Sequence, residues 1–234
     1  GRRRLYFHQR LGQQAVEQLE AFRLKCDATI FPEVVTVSDF DRELAVILQS
    51  YSIGPIKPNI VLLGWPQDPN RLAPYFSHLR TIIDLGKSVV VYLDPQPDHA
   101  TQPRRIDIWW KGQRNGSLMV ILSPLLTLNP DWRRALLRLL RQVPEAKEVA
   151  AAEQEMHHML QEARIKGTVK VAVSTESFQT VLDAQSADAD LVMLGLNRVG
   201  ESIQEAFFAN TEALRQKMPA IMLVYSNGEA DLMA

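Results

Sequence analysis

Asn59-Ile60-Val61-Leu62-Leu63-Gly64-Trp65 recurs in pattern as Asp190-Leu191-Val192-Met193-Leu194-Gly195-Leu196, 131 residues later. Each copy is a polar residue, a short apolar run and a glycine. A short apolar run bounded in this way reads as a strand buried on both faces of a parallel sheet. Neighbouring runs keep almost the same offset. Val89-Val90-Val91 aligns with Ile221-Met222-Leu223, and Leu5-Tyr6-Phe7 with Leu136-Leu137-Arg138. Matches along the chain at one near-constant spacing predict a duplicated unit.

Outward from these runs, strands alternate with amphipathic helices, the pattern of an α/β protein with right-handed crossovers. The expected fold is two tandem α/β subdomains, each a mostly parallel sheet flanked by helices. The first, residues 1–98, has strands over 3–8, 29–37, 60–63 and 88–93. Its helices run over 13–24, from a Ser38 or Asp39 cap to about residue 50, and over 70–85. A polar, proline-rich linker spans 99–116 and contains the turn dipeptide Asn115-Gly116. The second subdomain, 117–234, has strands over 117–122, 135–143, 168–173, 191–194 and 220–225, expected in the order 3-2-1-4-5. Its helices start at Pro124 and cover 145–164, 177–186 and 202–218. The first subdomain thus lacks a counterpart of 118–122 and is expected to be truncated at its N-terminus. The chain starts at Gly1, and a longer parent protein is expected.

Composition narrows the class. With 46% hydrophobic and 23% charged residues in 234, the chain has the make-up of a soluble globular protein. Its longest apolar stretch, 118–128, is interrupted by Ser123, Pro124 and Thr127 and falls short of the ~20 residues of a membrane helix. No signal peptide is visible. Cys26 is the one cysteine, so no internal disulfide forms, which suits a reducing compartment. Charge is uneven: residues 1–141 carry 19 Lys and Arg against 13 Asp and Glu, and residues 142–234 carry 7 against 14. The basic side comprises Arg2-Arg3-Arg4 together with Arg104, Arg105, Lys111, Arg114, Arg133, Arg134, Arg138 and Arg141. Such a side is either ordinary solvated surface or an attraction to acidic lipid or to an acidic partner surface. The arginines are not interleaved with aromatics as in a nucleic-acid module, so no nucleic-acid partner is expected.

Candidate chemistry is thin. Gly195-Leu196-Asn197-Arg198-Val199-Gly200-Glu201-Ser202 has the spacing of a phosphate-binding loop between a strand and a helix. Glu201 stands where lysine is needed and repels phosphate, so a tight strand-to-helix turn is expected instead. Glu155, His158 and Glu162 share one helical face, but no second cluster completes a metal site. No nucleophile motif or glycine-rich dinucleotide fingerprint occurs. The expectation is therefore no catalytic residue, no metal and no cofactor. Trp109 and Trp110 are adjacent in Ile106-Asp107-Ile108-Trp109-Trp110, so on a strand their rings face opposite sides. One ring could seat the linker on a core and the other dock on a second surface, or both could cover the sheet of their own domain. Both, with Trp65, are the structural or interface candidates.

Three stretches carry a family resemblance. Lys57-Pro58-Asn59-Ile60-Val61-Leu62-Leu63-Gly64-Trp65, then Ile106-Asp107-Ile108-Trp109-Trp110, then Gly116-Ser117-Leu118-Met119-Val120-Ile121-Leu122-Ser123-Pro124-Leu125-Leu126 resemble, in order, motifs of the cytoplasmic C-terminal domain of prokaryotic and other cation-chloride cotransporters, the Na-K-Cl and K-Cl symporters. Asp131-Trp132-Arg133 is similar to the stretch that follows. The chain departs from the pattern at Lys111, at Asn115 in place of a glycine, and in lacking a tyrosine after Pro124. The resemblance implies universal-stress-protein-like subdomains and a regulatory, dimerising, non-enzymatic role on the cytoplasmic side of the cell membrane. The partners it implies are the protein's own transmembrane domain and a second copy, with a regulatory protein or a lipid surface as further candidates. Transport of sodium, potassium or chloride would reside in membrane helices, so no ion-binding residue carries over. The alternatives are a nucleotide-sensing universal-stress-like module and the tail of a related amino-acid permease.

Overall fold

The computed structural model describes residues 2–26, 30–31, 33–51, 57–94, 104–197, 204–218 and 220–230, without the side chains of 2–11, 26, 113, 204–206 and 208. The chain divides into two compact units, Gly1–Ile53 and Gly54–Ala234.

The first unit contains α1 (Arg2–Cys26) and α2 (Phe40–Ser50). Asp39 caps α2 by accepting from the Arg42 amide, and the Ser38 hydroxyl donates to Glu43 at 2.7 Å. Two strand expectations fail here. Residues 3–8 lie inside α1, and the described part of 29–37 is not a strand. Leu5-Tyr6-Phe7 is too short for its own periodicity to separate helix from strand. It precedes a run rich in Gln, Glu, Ala and Leu, and extending a helix is cheaper than nucleating one. Pro32 has no amide hydrogen to give a ladder. The match of Leu5-Tyr6-Phe7 to Leu136-Leu137-Arg138 therefore does not survive.

The second unit is α/β. Its described strands are β1 (Ile60–Gly64), β2 (Ser88–Leu93), β3 (Arg105–Trp109), β4 (Leu136–Val143), β5 (Thr168–Val173), β6 (Leu191–Gly195) and β7 (Ala220–Tyr225). They form one seven-stranded sheet in the order β1-β2-β7-β6-β3-β4-β5. Every adjacent pair is parallel except β2 with β7. The helices are α3 (Leu72–Asp84), α4 (Gln113–Leu126), α5 (Val149–Glu162), α6 (Phe178–Gln185) and α7 (Gln204–Lys217). One face of the sheet packs Ile106, Ile108, Leu139 and Met193 against Leu118 and Met119 of α4 and Met156 and Met159 of α5. The other helices are joined to each other: Phe76 of α3 meets Phe207 of α7, and Lys217 of α7 reaches Asp183 of α6 at 3.5 Å.

This arrangement corrects the expected organisation in three places. The segment 99–116 is no mere linker, because Arg105–Trp109 is β3, held between β4 and β6. Residues 117–122 are not a strand but the middle of α4, and Pro124, where a helix was expected to start, lies within it. A continuous apolar run reads alike for a buried strand and a buried helix. Leu118, Met119 and Val120 are all buried, so no polar face betrays the helix. The order 3-2-1-4-5 is nevertheless the observed order of β5-β4-β3-β6-β7, with β3 in the place given to 117–122. Finally, β1 and β2 do not build a separate sheet. Two strands alone are at best marginal, and β2 is hydrogen-bonded to β7 instead.

The repeat is visible at that seam. β1 and β6 are the recurring runs, β2 and β7 their neighbours, and the quartet β1-β2-β7-β6 is symmetric about the antiparallel pair. Val91 pairs with Leu223, its own counterpart in the alignment of Val89-Val90-Val91 with Ile221-Met222-Leu223.

Candidate functional site

The carboxyl ends of β3, β4 and β6 open on a cavity of about 930 Å³. It forms because the chain leaves β3 toward β4 on one side and returns to β6 on the other, so the loops part above the central strand. Crevices at such a switch point are the usual ligand sites of open α/β sheets. Trp109, Trp110, Phe178 and Leu196 supply apolar wall, and Lys111, Arg114 and Arg141 supply positive charge, with Glu148 opposing.

Each wall is fixed by a local device. The Arg141 guanidinium lies 5.3 Å from the Trp110 ring centroid, and its Nη1 donates to Glu155 Oε2 at 2.6 Å. Asn115 Nδ2 donates to the Leu196 carbonyl at 3.0 Å, and its Oδ1 accepts from the Ser226 amide at 2.8 Å. One amide thus pins the start of α4 to the ends of β6 and β7. Gly116 sits in α4 because nothing larger fits: a Cβ there would lie 1.9 Å from Cδ1 and Nε1 of Trp110. Trp110 Nε1 is buried and has no hydrogen-bond partner among the described residues. A cleft with three cations and one carboxylate on its walls suits an anionic ligand.

The two tryptophans do face opposite ways. Trp110 joins the α4–α5 side of the core at 2% exposure. Trp109 lies on the other face, where its ring meets Phe178 edge-on at 5.2 Å and Nε1 donates to Ser186 Oγ at 3.0 Å. Trp65, at the end of β1, is buried too; its Nε1 donates to Glu212 Oε1 of α7 at 3.0 Å, and its ring meets Tyr75 and Phe207 edge-on. Trp109 and Trp110 line the cavity; Trp65 does not.

Beneath Trp109 is a buried polar cluster that residue spacing did not disclose. Asp107, wholly buried on β3, accepts from Arg138 Nε at 2.9 Å and Nη2 at 2.6 Å, and from Ser186 Oγ at 2.6 Å. Arg138 Nη2 also donates to the Gln185 carbonyl at 2.6 Å. Asp107 holds the Arg138 guanidinium protonated, raising its pKa further. At the rim Arg105 donates to Asp188, which lowers that carboxyl below the ordinary range. The signal was a lone carboxylate between isoleucines in a strand, since such a group needs a partner.

Other sequence candidates dissolve. Glu155 is taken by Arg141, while His158 Nδ1 stands 4.0 Å from Glu162. Among the described residues no group of three or more His, Cys, Asp or Glu could hold a metal. The phosphate-loop-like stretch is described only to Asn197, so Arg198 to Ser202, Glu201 included, lie outside the described residues. No described helix is long and apolar enough to cross a membrane.

No family model matches the chain. Among curated proteins it is similar to cation-chloride cotransporter 1 of Arabidopsis thaliana, 24% identical over 168 residues. That match covers 68% of this chain and 17% of the relative. Cation-chloride cotransporter 2 of Oryza sativa subsp. japonica is 24% identical over 176 residues, again 70% of this chain and 17% of the relative. The chain therefore spans about a sixth of the length of these relatives. Among solved structures it resembles the cytoplasmic domain of a prokaryotic cation chloride cotransporter, with a TM-score of 0.63 and 18% identity, covering 82% of this chain and 73% of that one. A universal stress protein from Archaeoglobus fulgidus DSM 4304 has a TM-score of 0.60 at 13% identity, over 97% of this chain and 81% of that one. The resemblance carried by the Gly64-Trp65, Trp109-Trp110 and Gly116–Leu126 motifs is thus the one that sequence and structure comparison both return: this chain is similar to cation-chloride cotransporters, on a fold like that of universal stress proteins.

Proposed function

We propose that this chain is the cytosolic regulatory and dimerisation domain of a cation-chloride symporter, and that it performs no chemistry of its own. The observation that carries the reading is the agreement of a sequence likeness with a fold likeness: 24% identity over 168 residues to a cation-chloride cotransporter, and a fold similar to a cotransporter's cytoplasmic domain. The buried charges fit a structural role, because Asp107 and Arg138 satisfy each other inside the core. Regulation in this reading is transmitted by how the domain packs beneath the membrane helices. The test uses the full-length gene product, whose upstream sequence should hold about a dozen apolar segments of ~20 residues. Cells expressing it should take up chloride only with its coupled cation. Deleting residues 1–234 should abolish regulation and dimer formation while leaving ion preference intact. Uptake with no chloride coupling in the undeleted protein overturns the reading.

The cavity favours a second reading, a nucleotide-sensing module. Against it stands the sequence Gly195 to Ser202, in which Glu201 takes the position that a phosphate loop gives to lysine. Titration calorimetry of the chain with ATP decides: a dissociation constant below roughly 10 μM, about −7 kcal/mol, selects the sensor.

A further inference from the structure

We propose that the edge of the Gly54–Ala234 unit where β4 begins docks on an anionic lipid surface. Leucines enter the headgroup layer there and arginines meet the phosphates. The proposal goes beyond the cotransporter reading and does not depend on it, because vesicle binding is a property of this chain alone.

α4 runs back along the sheet and delivers the chain to the amino-terminal edge of β3 and β4. There Leu125, Leu128 and Leu136 are 57%, 75% and 52% exposed, and Leu128 is the most exposed large apolar residue described. This is not a loose loop. Asn129 caps the turn Pro130–Trp132 by accepting from the Asp131 amide at 2.9 Å. The Ala135 amide donates to the Trp132 carbonyl at 2.9 Å, and the Leu136 amide to the Arg104 carbonyl at 2.7 Å. Arg104 covers the Trp132 ring from 4.7 Å. Leucines held outward on a braced turn do not collapse onto their own core, so water meets them until something else does.

Charge selects the occupant. Arg133 and Arg134 are exposed within the same turn. The register of β4 with β5 brings the loop before Thr168 alongside, and that loop exposes Arg164 and Lys166. Its Gly167 packs so closely on β4 that a Cβ there would lie 3.3 Å from the Leu137 carbonyl oxygen. Within 125–136 and 163–167 the carboxylate is Asp131, and the exposed Glu162 adjoins the second stretch, so four cations stand against two carboxylates. Asp188, on the same edge, is already engaged by Arg105 and Arg138. Separate apolar prongs ringed by cations match the boundary between acyl chains and anionic headgroups.

Sedimentation of the 234-residue chain with sucrose-loaded vesicles tests this. The chain should partition to phosphatidylserine–phosphatidylcholine vesicles at least tenfold more strongly than to phosphatidylcholine alone, and 1 M salt should remove the difference. R133Q/R134Q should lower partition roughly 30-fold, since each basic residue at an anionic leaflet is worth about fivefold. Leu128→Ser should lower it about tenfold, the lower end for burying a leucine. Both variants should melt like the parent, which keeps loss of binding distinct from loss of fold. Equal partition to both vesicle types, or unchanged partition of both variants, overturns the proposal. So does a variant that keeps vesicle binding but loses self-association in light scattering, which assigns the patch to a second copy of the chain.

Discussion

Asp107 and Arg138 are register partners on adjacent parallel strands, and their side chains close a two-pronged ion pair in the interior. Asp107 has no exposure at all, and among the described residues its carboxyl is held by Arg138 and the Ser186 hydroxyl. The pair ties β3, which the sequence left in a linker, to β4 and to the end of α6.

Removing one partner should therefore be severe. Arg138→Met leaves the wholly buried Asp107 carboxyl without its guanidinium and should cost about 3–5 kcal/mol, while Asp107→Ala, which leaves Arg138 near Asp188 at 3.7 Å, should cost less. Replacing both, as D107L/R138M, should cost much less than the sum of the single changes, because no unpaired charge remains. Urea melts of the three variants check this; additive losses would show that the residues act independently.

Gly116→Ala places a methyl where the Trp110 indole stands, 1.9 Å away. The contact is with a rigid buried ring, so overpacking should cost about 1–3 kcal/mol or more. Shrinking the ring in G116A/W110L should recover part of that loss. Thermal melts of the single and double variants decide it; a double variant worse than both singles would mean that the cavity from the lost ring dominates.

Trp109→Ala should cost about 3–5 kcal/mol, as for a core aromatic. Trp109→Phe should lose mainly the bond to Ser186, about 1 kcal/mol. A Trp109→Ala domain that melts like the parent would remove Trp109 from the structural core. Under the proposed transport role, these changes in the full-length protein should loosen regulation and leave ion preference unchanged, as read by flux assays.

Tyr75 carries a buried hydroxyl with no partner among the described residues, and burial raises its pKa well above the ordinary value near 10. The folded state thus holds this proton more tightly than the unfolded chain. Its contribution is complete below pH ~10 and is lost as the pH climbs toward the folded value. Tyr75→Phe should be within about 1 kcal/mol of the parent at pH 7. Above pH 10 it should be the more stable of the two. Tyr92, raised for the same reason first, keeps some alkaline sensitivity in that variant. Parallel melts at pH 7 and 11 provide the comparison.

Self-association should be present and salt-sensitive, because the first 141 residues are net basic and the remainder net acidic. Light scattering at low and high salt is the measurement. A monomer up to millimolar protein at low salt removes the dimer, whereas a dimer indifferent to salt removes only its electrostatic part.

What the chain itself determined is its alternation of buried strands with amphipathic helices, and its repeat. Leu191–Gly195 is legible because a strand buried on both faces must be apolar throughout and must end at a turn, whereas the equally apolar Ile60–Gly64, expected to be buried likewise, is the edge strand of the sheet and leaves Leu62 66% exposed. Tertiary structure decided what local pattern leaves degenerate. The run at 117–122 is helix, and Arg105–Trp109 is strand, because only one of them finds ladder partners on both sides. Likewise Leu5-Tyr6-Phe7 is helix, in a unit whose described residues hold no strand for it to pair with. The joining of both halves through Val91 and Leu223, the pairing of Asp107 with Arg138 and the cavity above β3 are relations between residues far apart in the chain. Hydrogen bonds and ion pairs are satisfied in space, so residue spacing shows that a buried carboxylate needs a partner but not which residue supplies it.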